Sequence, residues 1–123
     1  MAKKILIVDD ESELLDFAAI RVKSFGYDVI TAIDGENALT ILQKTTPDLI
    51  LLDVMMPGRD GYEICNEIKS NPKLAKIPIV LFTAKPQQKE RLKSNYKFIA
   101  ADDYILKPYE PEDLLAKIKK FIP

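Results

Sequence analysis

The stretch "PDLILLDVMMPGRDGYE", Pro47 to Glu63, decides the fold. Leu49-Ile50-Leu51-Leu52 has no polar face, the pattern of a parallel strand covered on both sides. A carboxylate buried inside such a strand is costly without partners, so Asp53 belongs at the strand's end. Two methionines and a Pro57-Gly58 turn follow, and then Asp60 with Glu63 three residues on, a capping-box pattern that opens a helix. A buried strand, a carboxylate at its tip and a helix after the loop make one unit of an α/β protein.

Four more β-type runs repeat that unit along the chain: Lys4–Val8, Tyr27–Ala32, Ile77–Phe82 and Tyr104–Leu106. Between the first two, residues 14, 17, 18, 22 and 25 are Leu, Phe, Ala, Val and Phe, one face of a helix that stops at Gly26. Residues 114, 115, 118, 121 and 122 repeat the pattern, and Pro111 suits that helix's first turn. Asp34 can cap a helix after the second strand. The segment "KPQQKERLKSNYKFIA", 85–100, offers Leu92, Tyr96 and Ile99 and is the least regular of the expected helices. The expectation is a doubly wound five-stranded parallel sheet with helices on both faces, (β/α)5, as one domain over residues 1–123.

Composition narrows the function. With 18 basic and 19 acidic residues the formal charge is −1, so no global field draws the chain to nucleic acid or an anionic membrane. No segment approaches the length of a membrane span, and the lone Cys65 cannot form an internal disulfide, so a soluble cytoplasmic protein is expected. Histidine is absent, which removes imidazole acid/base catalysis, His metal ligation and phosphohistidine from this chain.

In doubly wound sheets ligands bind beyond the carboxyl ends of the strands. Those ends supply Asp9 and Asp10 after "KILIV", Asp53 after "LILL", Thr83 after "IPIVLF" and Lys107 after "DYIL". Three carboxylates within roughly 5 Å repel by about 3 kcal/mol per pair at an effective dielectric near 20. A hard divalent cation relieves this, and Mg²⁺ takes one or two carboxylates together with waters and phosphate oxygens. Lys107 can neutralise a phosphoryl group and Thr83 can hydrogen-bond it, which meets the needs of phosphoryl transfer onto Asp53. Each residue alone has a plainer reading: a helix start for "DDE", an Asx turn for Asp53, a strand-end hydroxyl for Thr83, a solvated cation for Lys107. All four together, at the ends of four strands on one rim, are hard to ascribe to chance.

The stretches "ILIVDDE", "PDLILLDVMMPGRDGYE", "IPIVLFTA" and "ADDYILKPY", in this order, resemble the response-regulator receiver domain of two-component signalling over essentially the whole chain. The resemblance implies a flavodoxin-like fold in which Asp53 accepts a phosphoryl group from a sensor histidine kinase or histidine phosphotransfer protein. It implies that Mg²⁺, or Mn²⁺ in its stead, is bound by Asp10, Asp53 and the Met55 carbonyl, with Asp9 acting through water. It implies that Thr83 and Lys107 grip the phosphoryl group, and that Thr83 and Tyr104 form a switch altering the surface of residues 86–109 and the last helix. Output would pass to a downstream protein target or to an output domain beyond this stretch. Met55 and Lys85, each two residues beyond a site residue, would tune phosphoryl lifetime. Ala100 departs from the family's usual glycine, and the stretch from Thr83 to Lys107 is slightly longer than usual.

Rival readings fit less well. A haloacid-dehalogenase phosphatase needs a second acid two residues after its nucleophile, where this chain has Met55. A flavodoxin-like electron carrier needs a first loop that cradles phosphate, whereas "DDES" opposes an anion unless a metal intervenes. A degenerate receiver acting only by docking would not be expected to keep every phosphorylation residue.

Overall fold

The computed structural model describes residues 2–83 and 101–123. Its elements run β1 (Lys4–Val8), α1 (Ser12–Ser24), β2 (Asp28–Ala32), α2 (Gly35–Leu42), β3 (Leu49–Asp53), α3 (Gly61–Ser70), β4 (Ile79–Thr83), β5 (Asp103–Leu106) and α4 (Pro111–Phe121). The five strands form one parallel sheet in the order β2-β1-β3-β4-β5. After β1 the chain steps outward to β2, then returns to the other side of β1 to lay down β3. The strand order therefore reverses between β1 and β3, whose tips carry the acidic residues. The helix expected within 85–100 lies outside the described residues, as do Lys85 and Ala100.

The central strands are apolar on both faces because both faces are covered. Leu49, Ile50, Leu51 and Leu52 are all fully buried. Strand alternation sorts the core into two layers. Leu6, Val8, Ile50, Leu52, Ile79 and Leu81 pack with residues of α2 and α3. Ile5, Ile7, Leu49, Leu51, Val80 and Phe82 pack with Leu15, Ala18 and Val22 of α1 and Leu114 and Ile118 of α4.

Local signals fix the helix starts. Asp34 accepts from Asn37 N at 2.7 Å to cap α2, Asp60 accepts from the N–H groups of Tyr62 and Glu63 to cap α3, and Pro111 opens α4. The face of α1 differs from the one read off the sequence. Leu15, Ala18, Ala19 and Val22 are buried, whereas Phe17 is 71% exposed and Leu14 is 43% exposed. The helix is turned by about one residue, so that the small Ala18 meets a sheet surface already filled by Ile5, Ile7, Leu49 and Leu51. Leu14 and Phe17 instead edge a cavity of about 440 Å³ that reaches Lys107, Pro108 and Tyr109.

Candidate functional site

The ends of β1 and β3 bring three carboxylates together: oxygens of Asp9, Asp10 and Asp53 lie within 4.8 Å of one another. Asp9 and Asp53 are buried and Asp10 is exposed. The Asp9 backbone is tied to β2 through Asp9 N donating to Ala32 O at 3.1 Å, and its carboxylate accepts from Glu11 N at 3.0 Å. Asp53 is the last residue of β3, and the loop after it turns through Gly58, whose φ of +77° lies in the region that glycine tolerates without strain. That loop is held from outside by Arg59, which reaches Glu67 at 2.5 Å and Glu36 at 3.4 Å. It returns at Gly61, whose N–H donates to Val54 O at 2.9 Å. A Cβ at Gly61 would collide with the carbonyl oxygen of Asp53 and stand 2.8 Å from the Val54 Cα.

Lys107, one residue past β5, supplies the compensating charge. Its Nζ is 3.3 Å from Asp9 Oδ2 and 3.4 Å from Asp53 Oδ1. Both distances exceed the 2.7–2.9 Å typical of tight charge-assisted hydrogen bonds, so the ammonium is shared between two acids and committed to neither. It also stands over the Phe82 ring, 5.4 Å from the centroid, and Phe82 stacks on Tyr109 with centroids 5.4 Å apart. The peptide bond from Lys107 to Pro108 is cis.

One cation does not neutralise three acids. Burial, opposed by Lys107 and reinforced by Asp9 and Asp10, pushes the Asp53 carboxyl from 3.8 up to about 6. Burial works against the Lys107 ammonium, but Asp53 and Asp9 outweigh it and raise the group. Two buried acids, one of them disfavoured by burial in its charged form, and an exposed third are the donor set of a hard divalent cation, so these residues fit Mg²⁺.

Thr83 ends β4 with its side chain fully buried, and Oγ1 finds no hydrogen-bond partner among the described residues. Buried hydroxyls are almost always paired, which sets Thr83 apart from the other buried polar side chains among the described residues. The backbone joins Thr83 to the lysine directly, Lys107 N donating to Thr83 O at 2.7 Å. Thr83 and Tyr104 share the strand parity of the layer facing α3, and Tyr104 packs there half-buried. Met55 is on the rim with its side chain 61% exposed, and Met56 is buried. Cys65 is an interior α3 residue whose thiol burial pushes up to about 12, an inert group at neutral pH.

The sequence reading thus named Asp9, Asp10, Asp53 and Lys107, which the fold brings together, and Thr83, which it sets one strand away. It missed Phe82 and Tyr109. Phe82 carries a legible signal: counting by twos along β4 puts it in the layer of Val80, and it pairs in register with Asp53 on β3.

Comparison with known proteins agrees with this geometry. The family model described as the response regulator receiver domain matches residues 5–119. The response regulator TrrA of Thermotoga maritima, solved in complex with Mg²⁺–BeF, is 34% identical with a TM-score of 0.84, covering 97% of this chain and 98% of its own. The chemotaxis response regulator CheY4 of Vibrio cholerae is 30% identical with a TM-score of 0.87, covering 98% and 99%. The receiver domain of a Pseudomonas aeruginosa sensor histidine kinase, with magnesium coordinated in its active-site cleft, is 28% identical with a TM-score of 0.89, covering 99% and 98%.

Proposed function

This chain belongs to the response regulator receiver domain family of two-component signalling, and on that premise we propose that it is a phosphorylation-dependent switch whose acceptor is Asp53. The observation that carries the reading is a buried strand-end carboxylate, pushed up to about 6, beside Lys107 and within a cluster of acids. In the proposed reaction an Asp53 carboxylate oxygen attacks the phosphorus of a phosphohistidine on a kinase or phosphotransfer protein. A P–O bond forms, the P–N bond breaks, and the imidazole leaves with its electron pair and takes up a proton.

Mg²⁺, or Mn²⁺ in its place, would be held by Asp10, Asp53 and the Met55 carbonyl, with Asp9 assisting through water. When bound it supplies charge neutralisation for the carboxylates and the transferring phosphoryl oxygens. The rest falls to the chain's own side chains. Asp53 presents its oxygen from a rigid strand end, and Lys107 can leave Asp9 and Asp53 to meet phosphoryl oxygens. The unpartnered Thr83 hydroxyl would gain its missing partner there.

Output in this reading follows from Thr83. Its movement toward the phosphoryl group would draw Tyr104 inward and reshape the surface of residues 86–109 and α4, which a downstream target or attached output domain would read. Part of that surface, and Lys85 with it, is outside the described residues. Met55 and Lys85 would set the lifetime of the acyl phosphate, the methionine because it cannot orient water and the lysine by covering the phosphoryl group. No helix among the described residues is long and apolar enough to cross a membrane.

The test is direct. Incubated with Mg²⁺ and a small acyl-phosphate donor, the protein should gain one phosphoryl mass, and Asp53→Asn should gain none. Labelling at another aspartate while Asp53 stays unmodified would overturn the assignment.

A further inference from the structure

We propose that Phe82, steadied by its stack on Tyr109, is a positioning residue for Lys107, holding the ammonium over the acid cluster while the carboxylates that share it exchange partners. The inference rests on the reading of Lys107 as the cation that meets the phosphoryl group. The reacting site asks something awkward of this lysine. It must stay within reach of Asp53, yet it must give up Asp9 and Asp53 once those oxygens take a cation and a phosphoryl group. A lysine tethered only by the carboxylates would lose its anchor at the moment it is needed.

The resting geometry offers a third contact that such exchange does not remove. Nζ is 5.4 Å from the Phe82 centroid, inside the distance at which an ammonium is attracted to the negative face of an aromatic ring. The ring consumes no hydrogen-bond donor, so the ammonium can swing between oxygens without leaving it. Phe82 itself is immobilised. It is 2% exposed in the layer of Ile105 and Val80, and its interplanar angle of 16° with Tyr109 sets the ring plane. Its register partner across β3–β4 is Asp53, so the strand that presents the acceptor also fixes the distance from acceptor to ring. An aliphatic residue at position 82 would fill the core and provide no face for the cation.

Two measurements on the intact chain test this. In the metal-free protein, ring-current displacement of the Lys107 side-chain proton resonances reports the contact itself. Phosphorylation by a small acyl phosphate at saturating Mg²⁺ reports its use. Phe82→Leu and Phe82→Met should both abolish the displacement and slow phosphorylation by roughly two- to tenfold. In a Lys107→Ala background Phe82→Leu should cause no further slowing, whereas a packing defect would slow both backgrounds alike. If Phe82→Leu fails to fold, the more pliable Phe82→Met carries the comparison. Undisplaced Lys107 resonances in the wild type, a wild-type rate in the folded variants, or equal slowing with and without Lys107 would overturn the proposal. A wild-type protein that takes no phosphoryl group at all would instead strike at Asp53 as acceptor, and the Lys107 resonances would still decide whether the ring holds the ammonium.

Discussion

The two edges of the sheet treat carboxylates in opposite ways. At the edge where β4 and β5 begin, Asp102 accepts from Ile79 N at 2.8 Å and pairs with Lys69 Nζ at 2.9 Å, while Lys69 also donates to the carbonyls of Ala75 and Ile77. Asp103 beside it accepts from its neighbour Tyr104 N at 2.7 Å and meets two ammonium groups, Lys117 at 2.9 Å and Lys120 at 2.7 Å. Although burial acts against it, those donors pull the Asp103 carboxyl down to about 2. At the edge where β1 and β3 finish, three acids cluster beside one lysine that reaches only Asp9 and Asp53, and burial pushes Asp53 up to about 6. The difference separates structure from reactivity. A carboxylate given every donor it can use stitches elements together, and one left short of donors is poised to accept a cation or a phosphoryl group.

The sharpest way to break the comparison is to remove the charge at each edge and ask for opposite signs. The folded chain holds the Asp53 proton more tightly than the ordinary value of 3.8. The stability this gives is complete below about pH 4 and is lost as pH rises through 6. Asp53→Asn should therefore be the more stable protein at pH 7.5 without metal, by on the order of 2–3 kcal/mol, with the gap closing as pH falls to 4. Denaturant unfolding at both pH values measures it. Lys69→Met should do the reverse, costing about 2 kcal/mol at every pH from 5 to 8 by leaving two carbonyls without their donor and Asp102 without its counter-charge. A stabilised Lys69→Met would mean that the opening edge is not stitched as described.

Metal separates the edges next. Mg²⁺ should raise the melting temperature of the wild type, and Asp10→Asn should reduce that rise by the equivalent of a tenfold or greater loss of affinity, about 1.4 kcal/mol, while Lys69→Met keeps it. Equal Mg²⁺ stabilisation of wild type and Asp10→Asn would remove Asp10 from the cation site. The smallest effect belongs to Asp103→Asn. Its depressed titration gives stability that is present above about pH 4 and lost as pH falls toward 2. Lys120 is more than half exposed, so solvent screening limits the loss at pH 7 to about 0.5–1 kcal/mol by thermal melting.

These contrasts also mark what a sequence can convey. The unbroken apolar runs and the residues that end them were legible, because two covered faces and a tip where polar groups meet solvent leave a period and a boundary in the chain. Asp9, Asp10, Asp53, Thr83 and Lys107 could be named on that basis alone. The α1 face was misjudged because helical periodicity weighs Phe17 as more apolar than Ala19, whereas packing on a filled sheet selects for size. The Lys69–Asp102 knot and the Phe82 platform were missed for a third reason. Each joins residues 25 or more positions apart, Lys69 with Asp102 and Phe82 with Lys107, and such meetings depend on strand register and on where a loop returns.

Gly61 carries a consequence that belongs to protein engineering. It has no side chain and opens the helix after Asp53, yet the atoms nearest a Cβ there are the main chain of Asp53 and Val54. Any other amino acid would have to push the acceptor's own strand tip aside, because the obstacle is backbone that cannot rotate away. In a saturation library scored for signalling output, position 61 should be as intolerant as position 53, and alanine should fare little better there than a bulky residue. A variant at 61 would be a way to silence the proposed switch without removing any of its chemical groups.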